Sequence, residues 1–297
     1  MPPANPLLLI ASFFALYFVW GSTYLVIKFG IASWPPLLMA GIRFLVAGSL
    51  IYAWCRFRGA ANPSLREWGA GAIVGILLLA VGNGGVTVAE HMGVDSGIAA
   101  LCVATVPLFA LLFGMIWGQR TRGLEWAGIA LGLFGIGLLN LGSNLQASTL
   151  GAVLILIAAA SWAFGSMWSK HLPLPRGAMA SGVEMLAAGV VLLMASLISG
   201  ERMTAAPTAT GWFALAYLIV FGSIIAFSAY VYLLKHVRPA AATSYAYVNP
   251  VVAVLLGVGF AGERVGGEEL LAMAVIVSAV ILIGLPQRRT QKLAESC

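Results

Sequence analysis

The side chains that could do chemistry in this chain are aromatic rings, hydroxyls and amides set inside long apolar runs. Trp20 and Trp162 lie deep in two such runs, one in each half of the chain. Tyr17, Trp20 and Tyr24 share one helical face, and Trp162, Ser166 and Ser169 share another, because residues three and four apart are neighbours on a helix. Asn83, Thr87 and His91 make a third stripe; Thr243, Tyr247 and Pro250 make a fourth, with Ser244, Tyr245 and Asn249 alongside. Thr105, Ser223, Ser228 and Tyr230 complete the set. A lone Ser or Thr commonly bonds back to its own helix, and a lone Trp commonly packs between helices or against lipid. As a group, polar side chains avoid hydrocarbon and turn to a bundle interior or a wet cavity. The expected chemistry is recognition without covalent change, in a cavity with aromatic walls. The expected lining is Trp20, Tyr24, Asn83, Thr87, His91, Thr105, Trp162, Ser166, Tyr230, Ser244, Tyr247 and Asn249.

The chemistry that is missing narrows the reading further. Arg43 and Glu184 fall inside apolar runs, each about two turns from an end where a long side chain can snorkel. No Asp or Glu is expected at mid-membrane, which leaves a carboxylate proton relay without a carrier. The sequence carries no Walker A pattern, no metal-ligand cluster and no nucleophile with a recognisable base. Cys55, Cys102 and Cys297 show neither metal nor redox spacing. The expectation is a protein that is not an enzyme and uses no cofactor and no metal. A net charge of +6 comes from basic residues placed singly or in pairs, so nucleic acid is not an expected partner.

Backbone breakers cluster beside the polar stripes. Gly82, Gly84 and Gly85 flank Asn83, Pro107 follows Thr105, Gly222 precedes Ser223, and Pro250 follows Asn249. Proline removes a helix hydrogen bond and kinks the rod, so these six are the expected hinges; a static kink that only aids packing is the alternative.

The elements that must position these groups follow from composition. With 61% hydrophobic and 9% charged residues, the chain departs far from the roughly 25% charge of a soluble domain. Uncharged or nearly uncharged stretches cover about 7–27, 37–54, 68–89, 97–118, 126–141, 150–169, 178–199, 211–234, 240–262 and 270–285. Each approaches the ~20 residues of a spanning helix, and open strands would leave backbone groups unpaired in lipid. The expected fold is an all-α polytopic membrane protein with ten transmembrane helices. Arg56, Arg58, Arg66, Arg120, Arg122, Lys170, Arg176, Lys235, Arg238, Arg288, Arg289 and Lys292 fall on one set of connections; only Arg202 and Arg264 fall on the other. Cytoplasmic connections carry the basic excess, so both termini are expected in the cytoplasm, in an inner or plasma membrane.

A repeat organises the chain. The run from Pro107 to Gly114 recurs in the second half as Pro250 to Gly257, and Trp20 with Lys28 recurs at nearly the same offset as Trp162 with Lys170. Five helices is an odd number, so the halves, 1–145 and 146–297, are expected as inverted repeats with a site between them near mid-membrane.

The run Trp20 to Lys28 (WGSTYLVIK), Arg43-Phe44 with Ala47, and Gly118-Gln-Arg120 followed by Glu125-Trp-Ala-Gly128 resemble the EamA-type branch of the drug/metabolite transporter superfamily. The second half repeats the pattern most clearly as Gly262-Glu-Arg264 followed by Glu268 and Glu269. The length and ten-helix plan are similar to YddG-type exporters of aromatic and other amino acids. Gln119 stands where the family often has Glu, and Glu184 replaces the second Arg-Phe, so neither takes a motif role. The resemblance implies export of small amphipathic metabolites, amino acids with aromatic members included, by alternating access; the missing mid-membrane carboxylate points to downhill movement. A sugar-phosphate or nucleotide-sugar exchanger using Lys28 and Arg43 is the alternative, and a membrane enzyme or scaffold is a third reading. The expected partners are a small-molecule substrate and the lipid bilayer; a monomer is compatible with this plan.

Overall fold

The computed structural model describes residues 5–94, 99, 102–140, 149–261 and 267–284, and no strand occurs among them. Six helices are long and apolar enough to cross a membrane: α1 (Pro6–Ile31), α2 (Pro36–Phe57), α3 (Leu65–His91), α6 (Leu150–His171), α7 (Ala178–Ile198) and α8 (Ala209–His236). Shorter helices fill the other expected positions: α4 (Val106–Ile116), α5 (Gly123–Asn140), α9 (Tyr245–Ala261) and α10 (Gly267–Gly284). The chain is an all-α polytopic membrane protein. The Gly262 to Arg264 motif, the junction between the proposed halves and the basic C-terminus lie outside the described residues.

Local sequence sets the helix ends. Asn5 caps α1 by accepting from Leu7 N at 3.0 Å, and Pro6 follows at the first helical position. A capping box of Ser64 and Glu67 opens α3, and the Thr208 hydroxyl opens α8 by accepting from Gly211 N at 3.1 Å. Gly59 and Gly200 end α2 and α7 at φ of +83° and +75°, a left-handed backbone that a side chain would strain. Glu201 then reaches back across the bundle, and its carboxylate accepts from Leu37 N at 3.0 Å and Leu38 N at 2.9 Å, closing the start of α2.

Two pairs of helices pack antiparallel. Helices α2 and α7 meet along glycines too close for any side chain. A Cβ at Gly48 would lie 2.7 Å from Leu186 N, one at Gly189 would lie 2.6 Å from Leu45 N, and one at Gly41 would lie 3.0 Å from Leu193 N. A Cβ at Gly182 would lie 3.2 Å from Tyr52 N. As the position climbs along α2 its contact descends along α7, so the two helices run antiparallel. The same holds for α5 and α10, where Gly128 faces Ile283 and Gly135 faces Ile276. Small residues admit this close approach, which stands in for the hydrophobic drive that lipid removes. Gly48→Leu is expected to lower stability by about 1–3 kcal/mol through overpacking. Thermal unfolding of purified protein checks this, with Gly69→Leu, where a Cβ meets nothing within 4 Å, as the neutral control.

Three helices contain a stretch wound as a π-helix: Ala15–Val19 in α1, Ile76–Asn83 in α3 and Leu218–Ile225 in α8. Both ends of the α8 stretch stand at the same offset from those of the α3 stretch as Trp162 does from Trp20. Of the expected hinges, Gly82 and Gly222 fall inside these stretches, and Gly84 and Gly85 open the α-helix that follows. Pro107 sits in the first turn of α4, after a break at Ala104 and Thr105. Pro250 lies inside α9. The helix continues through it, and the interruption comes earlier, at Thr243 and Ser244, between the one-turn helix Pro239–Ala242 and α9. The hydroxyls of both residues bond back, Thr243 to Pro239 O at 2.9 Å and Ser244 to Ala241 O at 2.8 Å, reinforcing carbonyls that also accept the backbone N–H of Thr243 and Ser244.

Candidate functional site

Carbonyls in all three π stretches accept a side-chain donor from the opposite half. Ser161 of α6 donates to Leu77 O at 2.9 Å, and Trp20 Nε1 donates to Gly222 O at 2.9 Å. In α1 the donor is the Asn249 amide nitrogen, which reaches Leu16 O at 3.2 Å and Tyr17 O at 3.3 Å, together with Tyr245 O at 3.1 Å. The Asn249 amide oxygen is left to accept from Tyr24. Widened turns are frequent at functional sites, and here they couple the halves around a common space.

That space is a cavity holding about 700 Å³ free of atoms, lined by residues of α1, α2, α3, α6, α8 and α9 with Val103 and Val106 near the start of α4. Trp20 and Trp162 stand edge to face with ring centroids 5.5 Å apart, and Tyr245 meets Trp20 at 4.9 Å and 70°. Such pairs add about 0.5–1.5 kcal/mol beyond their buried area. Behind them Tyr230 is wholly buried; its hydroxyl receives Trp162 Nε1 at 3.0 Å and pairs with Ser166 Oγ at 2.7 Å. Tyr17 OH and Ser244 Oγ, 2.8 Å apart, add a further layer on this side.

Outside the cavity lining, two charged residues meet at the ends that carry the basic connections. There Arg238 pairs with the buried Glu125 carboxylate of α5, with Nη2 at 2.8 Å from Oε2, and Nη2 also donates to Arg120 O at 2.9 Å. The Glu125 carboxylate holds the Arg238 guanidinium above its usual pKa by accepting its hydrogen bonds. The carboxylate also caps α5 by accepting from Arg122 N at 2.9 Å. Arg238→Ala leaves this acid buried with one partner fewer. Since the Arg238 side chain is 39% exposed, solvent discounts the loss to about 1–2 kcal/mol. Glu125→Gln, whose amide oxygen can still accept from Arg122, is expected to cost less, and a melting comparison of the two checks the order.

Of the residues expected to line the cavity, the structure brings Trp20, Tyr24, Asn83, Trp162 and Asn249 together. Ser166, Tyr230 and Ser244 form the layer behind. Thr87 is buried with its hydroxyl donating to Asn83 O at 3.0 Å, and Thr105 donates to Cys102 O at the break before α4. His91 is exposed at the end of α3, away from the cavity. Tyr247 packs against α5, where a Cβ at Gly132 would touch its ring at 3.0 Å, and its hydroxyl has no partner among the described residues.

Sequence reasoning missed Thr23, Phe44 and Phe227 as lining residues, set Tyr245 only alongside the stripes, and gave Arg43 a place only in the exchanger alternative. Arg43 is 3% exposed and does not snorkel; its Nε donates to Ser223 Oγ at 2.7 Å. Glu184, at the equivalent place in α7, is 1% exposed with Oε2 unpartnered, and it lies outside the cavity. Glu90 in the last turn of α3 buries both carboxylate oxygens without a hydrogen-bond partner, within electrostatic range of Lys28 and Tyr24. Among the described residues no cluster of His, Cys, Asp and Glu could hold a metal.

Known proteins bear out the architecture. The EamA-like transporter family matches residues 7–141 and again 149–285. The chain is 58% identical over 277 residues to an Escherichia coli K12 protein named "Uncharacterized inner membrane transporter YedA", covering 93% of this chain and 90% of that protein. It is 29% identical to an E. coli K12 "Probable amino-acid metabolite efflux pump", over 92% of this chain and 94% of the relative. A solved crystal structure with 21% identity superposes at a TM-score of 0.78, covering 95% of this chain and 97% of the other.

Proposed function

Given that this chain belongs to the EamA-like transporter family and is a multi-pass inner membrane transporter, we propose that it exports small amphipathic metabolites, amino acids with aromatic members among them. The observation that carries this is the cavity between inverted halves, walled by Trp20, Trp162, Tyr24 and Tyr245 and edged by the amides of Asn83 and Asn249. Rings give an apolar side chain a surface, and the Asn83 amide gives a polar group a partner. The efflux pump of E. coli, aligned over nearly the whole of both chains, supports the substrate class.

Movement proceeds by alternating access. With the basic connections in the cytoplasm, and both termini with them, this reading puts the Arg238–Glu125 pair at the cytoplasmic face. The π stretches of α3 and α8, at equivalent places in the two halves, are where the helices bend to open one side and close the other. Transport runs downhill, and the chain carries out no catalysis and takes no cofactor. Lys28 is exposed and outside the lining, which leaves Arg43 as the one cation at the described cavity and weighs against a phosphate or nucleotide-sugar exchanger.

The test is flux of labelled amino acids in liposomes containing the purified protein. Exchange and efflux down a phenylalanine gradient are expected, with no accumulation when only a proton gradient is imposed. No movement of any amino acid in either direction would overturn the reading, and competition by phosphorylated ligands would favour the exchanger.

A further inference from the structure

We propose that the cavity recognises both charges of a zwitterion, with Arg43 taking a carboxylate and Asn83 taking an ammonium group. This rests on the export reading and assigns the substrate's polar ends to named groups. Arg43 is a cation buried to 3% exposure on α2. Its Nε is committed to Ser223, its guanidinium lies 4.8 Å over the Phe44 ring, and no carboxylate pairs with it among the described residues. An unpaired buried charge is expensive, so a guanidinium kept at a cavity wall invites an anion to complete it. Gly222 makes room for the guanidinium itself at this wall: a Cβ there would sit 2.9 Å from Arg43 Nη2. The two Nη groups form a planar fork that suits a carboxylate in two-point contact.

Asn83 supplies the other end. Its Oδ1 is buried without a hydrogen-bond partner, and the residue belongs to the same cavity wall. An orphaned acceptor needs a donor, and a simple carboxylate or phosphate brings none. A ligand that carries N–H donors and a carboxylate on one frame completes both Arg43 and Asn83 and adds no net charge to the membrane interior. The side chain of such a ligand has the faces of Trp20, Trp162 and Tyr245 for company.

Purified full-length protein in detergent is titrated, by intrinsic tryptophan fluorescence, with three probes: phenylalanine, its methyl ester, and 3-phenylpropionate. The ester lacks the carboxylate and the propionate lacks the ammonium. Wild type is expected to bind phenylalanine about tenfold or more tighter than either. Arg43→Gln should erase the preference over the ester, leaving the ester's own affinity within about twofold, and Asn83→Ala should erase the preference over the propionate. Where Arg43→Gln fails to give a monodisperse protein, Arg43→Lys decides: phenylalanine and propionate weaken several-fold while the ester does not. Equal affinities in wild type, no binding of any probe, or a uniform loss for all probes in the variants would overturn the proposal. Liposome flux is measured in parallel. The binding pattern without phenylalanine flux would refute export and leave the site standing, and flux without the pattern would do the reverse.

Discussion

Replacing Asn249 with leucine is expected to lower stability by roughly 3–5 kcal/mol, because each buried polar group left unsatisfied costs about 1–3 kcal/mol. The residue is 2% exposed, and its amide nitrogen serves carbonyls of Leu16 and Tyr17 in α1 as well as Tyr245 in its own helix. Its oxygen also holds the Tyr24 hydroxyl at the cavity wall. Leucine has similar volume and fills the same space, so the loss is one of polar satisfaction rather than of packing. Asn249→Asp should be worse, since it sets a carboxylate against the same carbonyls. The measurement is the melting temperature of the detergent-purified variants. A leucine variant that melts with wild type would show that the α1 carbonyls find other donors.

The second large effect concerns the paired tryptophans. Trp20→Ala and Trp162→Ala each remove a ring buried to 8% exposure, and aromatic-to-alanine changes in a core cost about 3–5 kcal/mol. Their ring centroids are 5.5 Å apart, so the two losses should not add, and a double-mutant cycle should return a coupling of about 0.5–1.5 kcal/mol. Phenylalanine variants separate wall from hydrogen bond. Trp20→Phe strips a donor from the Gly222 carbonyl, whereas Trp162→Phe leaves Tyr230 still bonded to Ser166. The Trp20 change is therefore expected to be the more damaging of the two in melting, and both should shift transport rate or substrate range. Unchanged transport in the double phenylalanine variant, with folding intact, would point to a role other than that of a cavity wall.

What could be read in the sequence follows from how strictly a bilayer constrains a chain. Hydrocarbon imposes apolar runs of near-fixed length, so the helices are plain from residue types. The deep tryptophans were equally legible, because their shared offset in the repeat set them apart from the others, which lie nearer helix ends. Facing is where legibility failed. The stripe through Thr243, Tyr247 and Pro250 assumed one unbroken helix, whereas the turn at Thr243 and Ser244 resets the phase and turns Tyr245 inward in place of Tyr247. In α3 the π stretch ends at Asn83, and Val86 rather than Thr87 follows it into the cavity. Widened turns leave no trace in apolar periodicity. Arg43 was read as free to snorkel because its distance from a helix end allowed it. Nothing in one sequence says that Ser223, far along the chain, would hold it inward.

The contacts between α2 and α7 obey a reciprocity. Gly48 meets Leu186 while Gly189 meets Leu45, and Gly41 meets Leu193 while Gly182 meets Tyr52, each residue of the first half and its counterpart in the second being separated by one constant offset. That is the rule of an isologous dimer interface, in which one patch binds its own copy. Each half therefore carries a self-complementary face, and the chain amounts to a tethered homodimer whose subunits have been free to diverge. Where the copies agree, as at the glycine seam, the surface must fit itself. Where they differ, as Arg43 does from Glu184 or Tyr230 from Val88, the tether lets one ligand be met by two unlike walls, an asymmetry that a dimer of identical chains cannot encode in its sequence.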